Sequence, residues 1–193
     1  MSDWDGLTPP YATIVADPPW AYDDGWPPFG DRAGDPRPRR GLAFSSMSVW
    51  EIAALHVGAL AAAHATLWLW TTNRYLLDAY TVAEAWGFKP SQLLTWCKQP
   101  MGLGPGGAFA QTTEHVLYAR RGRPRTLQRV DTTWWQWTRT PHSTKPAAFG
   151  DIVEQVSPGP YVELFARQPR LGWDHWGHGY ELPTASGGDG GAL

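Results

Sequence analysis

Short runs of apolar, β-branched and aromatic residues recur along the chain with almost no side left for water: 11–16 (YATIVA), 65–70 (ATLWLW), 114–119 (EHVLYA) and 161–166 (YVELFA). A strand with one wetted face alternates polar and apolar residues, so runs of this kind belong to a sheet covered on both faces. Residues 93–98 read as a further strand and 172–177 as a short last one. The segments between them carry helix signals. Ser48-Val49-Trp50-Glu51 reads as a capping box opening a helix to about Ala63. Asn73 is a candidate cap for a helix that runs to Trp86 and stops at Gly87, where a left-handed residue is favoured. Lys145-Pro146 opens a third helix with proline at its first position, ending near Val156, and Ser157-Pro158-Gly159 turns the chain into the last long run. Alternation of this kind predicts an α/β fold of three layers around a mostly parallel twisted sheet. Ligands bind such sheets at the carboxyl ends of strands, so the residues after YATIVA and after YVELF are expected on one edge.

At 193 residues the chain suits one domain, 1–183, with 184–193 a flexible glycine-rich tail. Proline and glycine exclude regular structure from 20–43, and 99–112 and 120–140 read as two more long loops on the substrate side. A formal net charge of -2 argues against gripping long stretches of nucleic acid by charge alone, so any basic contact is local. Two arginine clusters qualify: Arg32, Arg37, Arg39 and Arg40, and Arg120, Arg121, Arg123, Arg125 and Arg129. The 13 tryptophans suit a core, and equally the stacking of a planar substrate. Cys97 alone allows no internal disulfide and no cysteine-rich zinc site, which fits a reducing cytoplasm. The first residues lack the basic and apolar regions of a secretory signal, and no apolar run approaches the roughly 20 residues of a membrane span.

Asp17-Pro18-Pro19-Trp20 stands where the edge rule puts a ligand. Two prolines stiffen the backbone and donate no hydrogen bonds, so the Asp17 carboxylate and the Pro18 carbonyl form an acceptor-only pair suited to an exocyclic amino group. Acceptors that draw on the hydrogens of adenine N6 favour a pyramidal nitrogen able to attack an electrophilic methyl, with no metal and no covalent intermediate. Trp20 offers a face on which a base lifted from its helix can stack. The same four residues also read as a strand-to-loop turn followed by a core tryptophan. His115, His142 and His175 are not spaced as metal ligands and read as structural or solvent-facing.

The order of motifs carries more than any one of them. Ala16 to Trp20, Phe44-Ser45-Ser46-Met47-Ser48, Leu67-Trp68-Leu69-Trp70-Thr71-Thr72-Asn73, Trp86-Gly87-Phe88, Trp96-Cys97-Lys98, Glu114-His115, His142-Ser143-Thr144-Lys145-Pro146 and Ser157 to Arg167 follow one another over nearly the whole chain. This series resembles the adenine N6-methyltransferase family that holds the catalytic subunit of the eukaryotic messenger-RNA writer and many bacterial and phage DNA adenine methyltransferases. The resemblance implies a Rossmann-like fold dependent on S-adenosylmethionine, with permuted motif order, the catalytic motif preceding the cofactor motif. It implies catalysis at Asp17, Pro18, Pro19 and Trp20, and cofactor binding by Asp17, Lys145, Glu163, Phe165 and Arg167. Lys145 would hold the cofactor carboxylate, and Glu163 and Arg167 would lie around its ribose, where a buried structural ion pair is the alternative. Where many members have Gly-Asn this chain has Gly177-His178-Gly179, which puts His178 at the adenine edge of the cofactor. On the substrate side the resemblance implies Phe44 as a pocket cover, with Trp70, Asn73, Lys98 and Glu114 near the base. Arg39 and Arg40 are expected on the phosphate backbone, with both arginine loops flanking the Asp17 pocket. DNA is favoured over RNA. Methylation of another amino group (cytosine N4, a protein amide) and a non-catalytic scaffold remain the alternatives, and a homodimer or a partner subunit stays open.

Overall fold

The computed structural model describes residues 4, 6–21, 46–99, 109–138 and 145–177. In these the chain forms β1 (Tyr11–Ala16), α1 (Val49–Ala54), β2 (Ala61–Thr71), α2 (Leu76–Ala85), β3 (Lys89–Gln99) and β4 (Thr113–Arg121). It continues as β5 (Trp134–Thr138), α3 (Ala147–Val156), β6 (Tyr161–Leu164) and β7 (Trp173–Trp176), with 3-10 turns at Val57–Ala59 and Asn73–Tyr75. The strands make one sheet in the order β5-β3-β4-β2-β1-β6-β7. β1 pairs in parallel with β2 and β6, β6 with β7, and β3 with β5, while β4 runs antiparallel to both of its neighbours. The sheet is therefore mostly parallel, as the uniformly apolar runs require.

Alternate residues of the central strands face two separate cores. Ile14, Ala16, Leu67, Leu69 and Leu117 pack with Ile52 of α1 and Val82 and Ala83 of α2. Val15, Trp68, Trp70 and Val116 point the other way, onto Phe149 and Val153 of α3. Helices on both faces make the three layers. Between these layers a chain of hydroxyls satisfies the buried polar groups: Thr13 Oγ1 donates to Pro158 O (2.7 Å), and Ser157 Oγ accepts from Thr66 (3.1 Å) and from the Trp68 indole (3.3 Å). An unpaired buried hydroxyl would cost free energy, so the turn 157–159 is locked to β1 and β2.

Four expectations about elements change. Ser48 and Glu51 do form the capping box, but α1 ends at Ala54 and not near Ala63. The Ala-rich segment that follows joins β2 instead, because Ala61 pairs with Tyr11 and the strand extends along β1 and β4. Helix propensity is a weak prior against two ladders of hydrogen bonds. Gly58 makes the sharp turn between them, where a Cβ would lie 2.7 Å from the Trp86 carbonyl oxygen. Asn73 caps nothing: it lies inside a 3-10 turn, and α2 begins without a side-chain cap. Residues 120–140 are not all loop, since β5 forms the sheet edge there. Gly87 does hold the left-handed conformation after α2, at φ 83°.

Candidate active site

β1 and β6 are parallel neighbours, with Ala16 opposite Leu164, and the Asp17 amide donates to Leu164 O at 3.3 Å. The two strand ends thus meet on one edge, as expected from the alternation. The loop that follows is tied down at each step. Trp20 N donates to Pro18 O (2.9 Å), Met47 N to Pro19 O (2.8 Å), and the Trp20 indole to Trp70 O (3.1 Å). Pro18 O and Pro19 O each accept one of these bonds, and each keeps a lone pair for a second donor. Trp20 is 4% exposed and stacks on Tyr75 at 5.3 Å. It is an anchor for the loop and not a free stacking face, a correction that follows from its burial against α2's entry turn.

Four charges form a chain that starts at Asp17. Lys145 Nζ lies 2.9 Å from Asp17 Oδ1 and 3.1 Å from Glu114 Oε2, and Lys98 Nζ pairs with Glu114 Oε1. All four side chains are between 14% and 18% exposed, so solvent screens them little. Burial alone would pull the Lys145 ammonium down, but Asp17 and Glu114 together raise it above the ordinary lysine value. Burial would likewise raise the Glu114 carboxyl, and the charges of Lys145 and Lys98 hold it below the usual range. Lys145 also sits over the Trp70 ring at 4.8 Å and Lys98 over Trp96 at 5.3 Å. Trp70, 1% exposed, is therefore the floor under Lys145 and not a surface open to substrate.

Glu163 stands opposite Val15, the residue two before Asp17 on the neighbouring strand. Burial, then the nearby Asp17 charge, pushes its carboxyl up to about 7. With Asp17, Lys145, Phe165 and Arg167 it lines a cavity of about 150 Å³ against the first turn of α3. Phe165 holds φ 62°, a conformation costly for an aromatic residue, at the point where the chain leaves β6 to form the cavity wall. Arg170 was not anticipated from the sequence. It reaches from the segment after β6 to Glu154 (2.8 Å from both Nε and Nη2) and Asp151 (2.6 Å) on α3, and the Trp173 indole donates to Glu154 at 2.7 Å. Only the pairing of α3 with β7 brings these together, so no local motif announces them.

Asn73 and His115 make a second unforeseen link: His115 Nε2 lies 2.6 Å from Asn73 Oδ1 and Nδ1 lies 3.1 Å from Thr95 Oγ1. His115 is thus structural. Phe44, Arg39, Arg40 and His178 lie outside the described residues. The basic loop after β4 is misplaced by the sequence reading. Because β4 is antiparallel to β2, with Thr71 opposite His115 and Ala65 opposite Arg121, its C-terminal end lies at the edge away from Asp17. Arg120 to Arg129 therefore do not flank the catalytic loop, and 120–140 starts on the far side.

A mostly parallel sheet thus gathers Asp17, Lys145 and Glu163 around one cavity at its carboxyl edge, where α/β folds bind their ligands. The chain belongs to the MT-A70 family, whose model matches residues 11–179. It is 30% identical over 195 residues to the type II methyltransferase M.MunI of Mycoplasma sp., covering 90% of this chain and 82% of that protein. It is also similar to a putative N(6)-adenosine-methyltransferase MT-A70-like protein of Medicago truncatula (29%; 84% of this chain) and to an N(6)-adenosine-methyltransferase MT-A70-like protein of Drosophila melanogaster (28%; 81%). The chain spans about a quarter of the length of those two relatives (25% and 24%). The protein is a methyltransferase enzyme by family. No helix among the described residues is long and apolar enough to cross a membrane.

Proposed function

We propose that the protein transfers a methyl group from S-adenosylmethionine to the N6 amino group of adenine in nucleic acid, with DNA the favoured polymer. The observation that carries this is Asp17, directly after β1 and directly before Pro18, lining one cavity with Lys145 and Glu163.

The residues present suit that cofactor. A lysine beside the N-terminal end of α3 suits a carboxylate, Asp17 suits an ammonium group, and a buried carboxyl such as Glu163 suits a pair of hydroxyls. The bound cofactor supplies an electrophilic methyl group. The chain's own work is positioning. Lys145 occupies Asp17 Oδ1, which gives Asp17 Oδ2 and the Pro18 carbonyl to the two hydrogens of the target amine. Drawing on both hydrogens frees the nitrogen lone pair from the ring and aims it. Once nitrogen carries the methyl group it must lose a proton, and Asp17 Oδ2 is the base in reach. Glu114 keeps Lys145 charged and in line, and Lys98 balances Glu114, so these two residues support the site through Lys145.

The preference for adenine rests on the motif series and on relatives named N(6)-adenosine-methyltransferases. The preference for DNA rests on the resemblance to bacterial and phage DNA enzymes, together with the larger mutual coverage against the type II methyltransferase. Incubation with isotopically labelled S-adenosylmethionine and matched single- and double-stranded DNA and RNA, followed by nucleoside mass spectrometry, tests both. Methyl-deoxyadenosine is expected. Methyladenosine would move the substrate to RNA, and label in neither nucleoside despite cofactor binding would overturn the adenine reading.

A further inference from the structure

The arginine loop after β4 stands at the wrong edge to serve Asp17, and it walls a second cavity instead. This cavity, about 500 Å³, lies on the α3 face of the sheet, with Trp68, Leu94 and Tyr118 from three adjacent strands and Trp135 of β5 among its lining residues. Residues 126–133 close its far side, and the Leu127 amide, which donates to Val156 O at 2.8 Å, ties that loop to the end of α3. Gln92, Gln128 and Arg129 add polar groups to the lining.

Size, surface and charge point to one occupant. The volume is in the range that takes a ligand of nucleotide size. The lining combines aromatic rings and the aliphatic Leu94, Val130, Ile152 and Val156 with amide groups that can both donate and accept, a mixture that suits the apolar faces and polar edges of a nucleobase. Trp135 is itself stacked on Trp137 at 5.6 Å and 12°, so the aromatic surface continues along β5. Five arginines against Asp131 fall within residues 120–131 of a chain whose net charge is -2, and Arg123, Arg125 and Arg129 are exposed. Of these, Arg129 lines the cavity beside Asp131 (3.3 Å) and Arg125 directly precedes the lining residue Thr126, whereas Arg121 turns away to Gly58 O. β3 and β5 lead from the cavity to the catalytic edge, Leu94 lying five residues short of Gln99, or about 16 Å of strand.

We propose that this cavity is a second nucleic-acid site. It holds one unpaired nucleotide a few positions from the adenine at Asp17, its base on Trp135 and its phosphates on Arg125 and Arg129. The idea rests on the nucleic-acid reading above and extends it to the path of the strand and to a single-stranded substrate.

The test uses fluorescein-labelled single-stranded deoxyoligonucleotides of two lengths, about 3 nucleotides, too short to reach the second cavity, and about 20, each with one adenine near an end, in binding by anisotropy and in methylation. Arg125→Ala/Arg129→Ala changes only exposed side chains, and Trp135→Leu is checked for folding by circular dichroism. Both variants are expected to bind the long strand about tenfold more weakly, with a matching rise in KM, unchanged kcat and unchanged handling of the short strand. Equal binding of the long strand by wild type and both variants would overturn the proposal, as would equal losses on both lengths. Loss of long-strand binding in the variants without any methylation by wild type would leave the site standing and remove the adenine chemistry. Methylation that ignores both variants would do the reverse.

Discussion

Lys145 serves two carboxylates with one charge, and Asp17 sits between that lysine and Glu163, so no substitution here acts on one group alone. Asp17→Ala removes the carboxylate proposed to hold the amine, and kcat is expected to fall about 10³-fold in the methylation assay with the fold retained. It also removes the charge that, after burial, raises Glu163 most, so the Glu163 carboxyl should titrate lower in that variant. Glu163 has its own signature. A carboxyl raised to about 7 in the folded chain takes up a proton on folding, so its contribution to stability is full below about pH 4.5 and is lost as pH rises through 7. That amounts to about 3 kcal/mol, and Glu163→Gln should flatten this part of the stability-pH curve measured by denaturant. Hydroxyl groups of a bound ribose prefer the ionised carboxylate, so cofactor affinity should increase as pH rises through 7, with the dependence gone in the Gln variant. A calorimetric affinity independent of pH in wild type would remove Glu163 from the ribose. Asp17, Lys145 and Glu163 were legible because each sits in a contiguous motif at a strand or helix end. The tether through Glu114 and Lys98 was not, because it exists only where β3 and β4 pair, and two residues 16 positions apart carry no sign of that pairing.

At the scale of elements, the catalytic loop depends on a six-residue helix that cannot hold itself together. α1 makes little more than one turn, and its capping box fixes Ser48 beside Met47, the residue that bonds Pro19 and Ala21. Ser48→Ala should cost about 1 kcal/mol of stability and, by loosening Met47, should lower kcat more than it weakens cofactor binding. Thermal unfolding and steady-state kinetics separate the two effects. The box was readable from four residues, yet the end of α1 was not, since the alanines after it are good helix formers recruited by strand neighbours far away in sequence. β5 failed to register for the opposite reason. Its alternation is present in Trp134 to Thr138, with Trp135 and Trp137 half-buried and the others exposed, but five residues at a sheet edge give a period too short to separate from a tryptophan-rich loop.

At the scale of the molecule, α3 is, among the described residues, the one helix on its face and does two tasks: it covers the second core and it receives Arg170, which pins the β6–β7 connection and hence the cavity wall. The alternation of strands and helices foretold the shared edge of β1 and β6, but not the direction of β4, and that single reversal decides which loops surround Asp17. Gly150 brings the consequences of α3's position into one substitution. Alanine in a helix interior is favoured over glycine by about 1 kcal/mol, so Gly150→Ala read from propensity alone should stabilise. In the folded chain a Cβ there would lie 2.5 to 2.9 Å from three atoms of the Arg170 guanidinium. That group is the end of a flexible side chain and can move, but moving it gives up the paired contacts to Glu154 and the bond to Asp151, interactions with charge on both sides. The expected outcome is no gain in Tm and a cofactor affinity several-fold weaker, because the wall after β6 loses its clamp. Arg170→Ala supplies the control. If displacement of Arg170 is the cause, alanine at 150 in the Arg170→Ala background should raise Tm by the propensity term, and a double-mutant cycle should show coupling. Additive effects would mean that the clamp is not what Gly150 protects.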